Sequence, residues 1–299
     1  MRVFVTGASG WIGSAVVDEL LGSGHEVVGL ARSDASASTL EGKGATVLRG
    51  DLDDLDSLRR GSEESEGVVH LANKHDFVNP GVSDRAERGA VQTILDVLAG
   101  SDRPLVVASG LAGLAQGRPG TEEDPSPSVG PDSMRGGTEN LAFDFADRGV
   151  RSIAARFAPT VHGVGGDHGF IALIAQAARS RGVSAYVGDG SHAWSAVHRT
   201  DAAVLVRLGL ERAPAGTRLH AGAEEGVPTR AIAEALGEFL GLPVTSVAPE
   251  DAVEHFGFIG RFFALDLRAS SAATQERFDW HPTGPTLLED IAAGAYPGL

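Results

Sequence analysis

Short apolar runs alternate with longer stretches of helical spacing through the first half of the chain. Val3–Thr6, Glu26–Ala31, Thr46–Leu48, Gly67–Leu71, Leu105–Ser109 and Arg151–Phe157 are rich in β-branched and apolar residues and read as strands. The fourth and fifth are continuous apolar runs, the pattern of strands covered on both faces. Ser14–Leu21 follows the first strand with helical spacing, and Ser133–Asp147 predicts one helix leading into the sixth. This succession predicts an α/β fold built on a doubly wound parallel sheet.

After Phe157 the texture changes. Glycine and histidine cluster between Val161 and Gly169, and helices are expected over Phe170–Arg179, His198–Leu210 and Glu224–Leu240. Arg218–Ala221 predicts one more strand of the same sheet, Ser246–Glu250 a strand and turn, and the remainder helices and loops. The expected division is a nucleotide-binding domain over 1–160, completed by about 192–222, and a smaller C-terminal substrate-binding lobe over 161–191 and 223–299.

With 299 residues, 42% hydrophobic and 22% charged, the chain has material for a large buried core. A formal net charge of -15 repels phosphate backbones and anionic membranes at long range, which argues against nucleic-acid or membrane partners and reads otherwise as a solvated acidic surface; the expected partner is a small-molecule substrate. The chain has no cysteine, so disulfides, thiolate metal sites and cysteine nucleophiles are excluded. Met1–Val5 enters a glycine turn with no apolar signal segment, and the expected location is cytoplasmic. His162 and His168 lack the i, i+4 spacing of a helical metal pair, and no metal site is expected.

The sharpest local signal joins the first strand to the first helix: Thr6-Gly7-Ala8-Ser9-Gly10-Trp11-Ile12-Gly13. Gly7 permits a tight turn, Gly10 lets the backbone approach a pyrophosphate, and Gly13 lets helix and strand pack closely. Backbone N–H groups and the helix N-terminus then face the anionic phosphates. The stretch predicts a Rossmann-type dinucleotide site using Thr6, Gly7, Ser9, Gly10, Trp11, Ile12 and Gly13. At the end of the second strand an acidic residue would bond the ribose 2′-OH of NAD, whereas an arginine accommodates a 2′-phosphate. Arg32 stands there, so NADP(H) is the expected cofactor. Asp51 and Leu52 follow the third strand, where a carboxylate can accept the adenine amino group. Leu71 and Ala72 end the fourth, beside the pyrophosphate.

Together Thr6-Gly7-x-x-Gly10-x-x-Gly13, Gly50-Asp51-Leu52, His70-Leu71-Ala72, Ser109, the Arg156–Gly163 stretch and His198–Ala203 resemble the extended branch of the short-chain dehydrogenase/reductase superfamily. The resemblance implies Phe157 and Ala158 beside the nicotinamide, and a homodimer through helices near the fifth strand. It also implies a Tyr-x-x-x-Lys pair, which this chain lacks: Gly190 lies four residues after Tyr186, and the sequence given ends before a fourth residue beyond Tyr296. Counting back from Glu139 puts Arg135 at the lysine position and Pro131 at the tyrosine position. Arg135 can still bond the cofactor ribose, but it does not tune a neighbour by losing its proton.

Something must therefore replace the tyrosine as proton donor when hydride reaches a carbonyl. Ser109, at the end of the fifth strand, is the candidate partner of the substrate oxygen. His75 lies just beyond the fourth strand and, with an ordinary pKa of about 6.5, is the candidate acid. His162, His168 and His198 are further candidates, and Glu254–Phe263 could roof an apolar pocket or pack a core. The leading expectation is an NADPH-dependent reductase of a carbonyl or similarly unsaturated small molecule, with Ser109, His75 and Arg135 as catalytic residues. The alternatives are an NADP(H)-dependent isomerase, epimerase or lyase, and a cofactor-binding sensor without turnover.

Overall fold

Twelve strands form among the described residues, 1–76 and 79–296 of a computed structural model. They are β1 Arg2–Thr6, β2 Glu26–Ala31, β3 Thr46–Arg49, β4 Gly67–His70, β5 Pro104–Gly110, β6 Arg151–Phe157, β7 Thr160–His162, β8 Ser184–Val187, β9 Ala193–His198, β10 Thr217–Ala221, β11 Glu224–Pro228 and β12 Val244–Val247. Seven make one sheet in the order β10-β6-β5-β4-β1-β2-β3. The pairs β1 with β2, β1 with β4, β2 with β3 and β4 with β5 run parallel. Strand order reverses between β1 and β4, the topological switch point where open α/β sheets bind ligands. The doubly wound Rossmann-type sheet read from the sequence is the fold found.

The main helices are α1 Trp11–Gly22, α2 Asp34–Lys43, α3 Leu55–Glu63, α4 Pro80–Leu98, α5 Thr138–Phe143, α6 Phe170–Arg181, α7 Arg199–Arg212 and α8 Thr229–Leu240. α4 turns Ala90, Val91, Ile94, Leu95 and Leu98 inward, each fully buried, onto Phe4, Val68 and Leu105 of the sheet. The spacing of three and four residues puts them on one stripe, and burying each large member contributes about 1.5–3 kcal/mol before entropy.

The chain divides into two compact units. The first comprises Met1–Ser109, Pro125–Arg156 and Ala203–Leu219 and holds the core just described. The second comprises Gly110–Asp124, Phe157–Ala202 and His220–Leu299. It has its own core of Ile171, Ile174, Trp194, Ile232, Leu236, Phe256, Ile259 and Phe263. Phe256 and Phe263 meet edge to face at 5.2 Å, and Trp194 and Phe263 at 5.3 Å. Of the two readings of Glu254–Phe263, this segment takes the packing one.

Two expected helices are corrected. Ser133–Asp147 is not one helix: a tight turn over Met134–Gly137 precedes α5, and another follows over Ala146–Arg148. Arg135, Gly136 and Gly137 have φ of 55, 60 and 62°, so the backbone makes a left-handed turn before α5 begins. A Cβ at Gly136 would lie 2.6 Å from the Asp84 carbonyl oxygen on α4, and this close approach excludes an ordinary helix surface there. Glu224–Leu240 begins as a strand, because Val227 and Pro228 pair antiparallel with Trp194 and Ala193 of β9. Pro228 (φ -57°, ψ 136°) then precedes α8. The strands β7 and β9 inside the Gly/His-rich stretch and after it were not foreseen.

Candidate nucleotide-binding and catalytic site

β1 ends at Thr6, and the chain turns at Gly7 (φ +65°), a conformation only glycine adopts without strain. A Cβ on Gly7 would sit 2.8 Å from the backbone nitrogen of Ala72, and one on Gly13 would sit 2.0 Å from the Gly7 carbonyl oxygen. The turn, the first coil of α1 and the segment after β4 are therefore packed backbone to backbone. Gly10 occupies the N-cap of α1, and no side chain caps the helix. The end of a twelve-residue helix is thus presented without a side-chain acceptor, which suits a phosphate. A nucleotide pyrophosphate fits this cradle.

Thr6 ties the turn to the switch point. Its Oγ1 lies 2.9 Å from His70 Nδ1 and accepts the Ala72 N–H at 3.3 Å. His70 is fully buried, and its Nε2 has no partner among the described residues. Burial pushes its pKa down to about 3, and the neighbouring Arg135 guanidinium pushes the same way. It is a neutral structural imidazole at ordinary pH.

Arg32, the residue after β2, is exposed and makes no ion pair or hydrogen bond among the described residues. Asp51 is differently occupied from the expectation. Its Oδ1 accepts the N–H groups of Asp53 and Asp54 at 2.8 and 3.1 Å, holding the turn into α3, so only its second oxygen is open to an adenine amino group. Leu52 is buried and lines a cavity of about 360 Å³ with Asp53, Leu55, Lys74, Val82 and Ala86. Lys74 crosses to Asp53 at 2.7 Å. Phe157 and Ala158 belong to the second unit and are buried; the Phe157 carbonyl accepts the Leu111 N–H, and the Ala158 N–H donates to Ala221.

Ser109 is half-buried at the end of β5 and donates to Glu139 Oε2 at 2.6 Å. Glu139, on α5, is itself clamped by Arg156 of β6, with Nε at 3.1 Å from Oε2 and Nη2 at 2.6 Å from Oε1. Glu139 is 3% exposed and Arg156 0%. An ionised carboxylate only accepts, so the Ser109 hydrogen is turned toward Glu139. The expected donation from Ser109 to a substrate oxygen would first have to break this bond.

Arg135 and His75 are linked by residues the sequence did not single out. Arg135 Nη2 lies 2.5 Å from Glu87 Oε1 on α4, and its backbone N–H donates to Asp84 at 2.7 Å. Glu87 Oε2 in turn accepts from Asn73 Nδ2, whose Oδ1 accepts the His75 N–H at 2.7 Å. The chain of bonds runs Arg135–Glu87–Asn73–His75. It holds His75 at φ 50° with its side chain at the surface. Burial pushes the Glu87 carboxyl above the usual carboxylate range, against the pull of Arg135 and Asn73. The missed signal was positional. Glu87 stands three and four residues before Ala90 and Val91, on the buried stripe of α4, where an acid needs a partner.

The remaining histidines do not join this group. In the second unit His162 is fully buried, with Nδ1 2.6 Å from Asp290 Oδ2 and Nε2 3.8 Å from Glu224. His198 packs edge-on against it at 5.7 Å between centroids. Burial lowers the pKa of His198, partly opposed by Asp290. His168 is exposed. Among the described residues no three His, Asp or Glu side chains gather to hold a metal ion, and no helix is long and apolar enough to cross a membrane.

A glycine turn at the switch point of a doubly wound parallel sheet defines a Rossmann-type fold. The sequence pattern of the NAD dependent epimerase/dehydratase family matches residues 3–222, and the chain belongs to that family. It is 46% identical over 299 residues to an uncharacterized protein of Schizosaccharomyces pombe, covering 99% of this chain and 100% of that one. It is 30% identical over 262 residues to the 2'-dehydrokanamycin reductase of Streptomyces kanamyceticus, covering 83% of this chain and 69% of that one. Among solved structures it is similar in fold to the dTDP-glucose 4,6-dehydratase of Streptomyces venezuelae with NAD bound, at a TM-score of 0.78 and 21% identity, over 99% and 96% of the two chains.

Proposed function

We propose that the protein is an NADPH-dependent reductase of a carbonyl or similarly unsaturated small molecule. The observation that carries the reading is Arg32: an exposed guanidinium, without a partner among the described residues, where a ribose-binding acid would stand in an NAD enzyme. The family supports a nicotinamide cofactor, and the likeness to 2'-dehydrokanamycin reductase supports reduction. When bound, NADPH supplies the hydride.

The chain's own residues divide the remaining work. Gly7, Ser9, Gly10, Trp11, Ile12 and Gly13 surround the pyrophosphate through the turn and the α1 N-terminus. Thr6, Leu71 and Ala72 hold the switch point, Leu52 and the open oxygen of Asp51 meet the adenine, and Phe157 and Ala158 stand by the nicotinamide. Arg135, anchored on Glu87, approaches the ribose. Ser109, its hydrogen turned from Glu139 to the substrate, orients the substrate oxygen, and His75, presented by Asn73, gives the proton.

The test is NADPH and NADH consumption, followed by near-UV absorbance, against ketones, aldehydes, enones and imines. Consumption preferring NADPH, with a rate lost in His75→Gln, supports the reading. Full turnover and an unchanged pH profile in His75→Gln would remove His75 as the acid. A second reading follows from the family's epimerase/dehydratase character: an isomerase or lyase that holds NADP(H) tightly and reduces it only transiently. The Ser109 hydroxyl, with lone pairs free to accept, favours a substrate that presents its own hydroxyl hydrogen. Product formation without net cofactor consumption would select it.

A further inference from the structure

The ends of β2 and β3 bring a second arginine to the edge that Arg32 occupies. Ala31 is in register with Arg49 across the parallel ladder, and the Gly50 N–H donates to the Ala31 carbonyl at 3.3 Å. Paired strands lie about 4.8 Å apart, and Arg32 is the residue after the one paired with Arg49. Arg49 is ion-paired with Asp34, and their side chains are 51% and 95% exposed. Asp34 opens α2, whose first turn is closed by Ser33: its hydroxyl accepts the Ser36 N–H at 3.2 Å and donates to the Ser36 hydroxyl at 3.1 Å.

Three facts bear on what this edge binds. The chain as a whole carries a net charge of -15, so an approaching phosphate is held only where cations are concentrated locally. Arg32 alone is one cation, and Asp34, two residues on, would repel the same phosphate. The Asp34–Arg49 pair is exposed, and exposed pairs are weak. A phosphate monoester carries more charge than a carboxylate and accepts two parallel N–H bonds from a guanidinium, so it competes for Arg49 with advantage.

We propose that Arg49 is a second direct ligand of the 2′-phosphate, exchanging Asp34 for the phosphate when the cofactor binds, so that preference for the phosphorylated cofactor rests on both Arg32 and Arg49. The inference depends on the NADPH reading above. Asp34 holds Arg49 in place when no phosphate is present and is not itself a ligand of the ribose.

The test uses the full chain and two fragments lacking the nicotinamide, 2′,5′-ADP and 5′-AMP, with affinities from titration calorimetry. Wild type should prefer 2′,5′-ADP, and Arg32→Gln should lose that preference. Arg49→Gln should weaken 2′,5′-ADP by about tenfold while leaving 5′-AMP unchanged. Asp34→Asn should bind 2′,5′-ADP at least as tightly as wild type, and adding Arg49→Gln to it should impose the same tenfold loss. Unchanged 2′,5′-ADP affinity in Arg49→Gln overturns the proposal. So does a double variant that binds as well as Asp34→Asn, because Arg49 would then merely neutralise Asp34. Equal binding of the two fragments by wild type, or no effect of Arg32→Gln, overturns the NADPH reading itself and this inference with it.

Discussion

In the first unit the buried carboxylate of Glu139 faces an arginine; in the second the buried carboxylate of Asp290 faces a histidine. Arg156 makes two bonds to Glu139, whose Oε2 also accepts from Ser109. In the second unit His162 Nδ1 lies 2.6 Å from Asp290, and Tyr296 donates to Asp167 at 2.6 Å. Burial shifts acids up and histidines down in both units, Glu87 and His70 in the first and Asp167 and His198 in the second. It lowers the His70 pKa in the first and raises that of Asp167 in the second, where the bond from Tyr296 opposes it.

The strongest way to break this contrast is Arg156→Ala. Glu139 would lose both bonds to its close partner and keep only the Ser109 hydroxyl and the more distant Arg218 at 3.7 Å, at a cost of up to about 3–5 kcal/mol, read as a fall in the urea midpoint. His162→Ala should cost less, about 1–3 kcal/mol, because it removes one bond to Asp290 where Arg156→Ala removes two to Glu139. Equal losses would mean the two pairs are not different in kind.

The next effect is in pH. The native state holds His70 neutral down to about pH 3, whereas the unfolded chain protonates it below about 6.5. Between those values the unfolded state binds more protons. His70 therefore removes stability on acidification, at up to about 1.4 kcal/mol per pH unit. Urea melts of His70→Asn should show a flatter slope over that range; an unaltered slope would assign the acid loss elsewhere. Asp167 works in the other direction. Its raised pKa favours the protonated native form, so its contribution is present below the ordinary carboxylate pKa and is lost as pH rises through the folded value. Asp167→Asn should remove that loss while keeping an acceptor for Tyr296. Smallest of all, Ser109→Ala should shift stability by about 1 kcal/mol or less, since Glu139 keeps both bonds to Arg156. A larger loss would make Ser109 part of the buried pair's support.

Much of the first unit was legible because its signals are local. The β1–glycine–α1 junction announces itself by spacing, and the continuous apolar runs of β4 and β5 correspond to central strands. The partners that define the site are separated in sequence: Ser109 from Glu139, Asn73 from Glu87, and Glu87 from Arg135. No periodicity links them, although Glu87 on an apolar stripe could have prompted the question. Asp51 was given a ligand role from its position, but an aspartate before a helix also holds its own turn, and that competing use took one oxygen. The false helix over 224–240 arose because β11 is short and Pro228 lies at the junction, where the apolar pattern of α8 had already begun.

The turn over Arg135–Gly137 has one further consequence, in handedness. Its backbone runs as a mirror image of an ordinary helix turn, which costs each L-residue about 1–2 kcal/mol and glycine almost nothing. Two of the three positions are achiral, so the whole penalty falls on Arg135, and its bonds to Asp84 and Glu87 offset it. Relief of strain and retention of the guanidinium are thus in opposition at a single residue. A glycine would suit the backbone there, and only an arginine, bearing the wrong chirality for the turn, brings charge to the place.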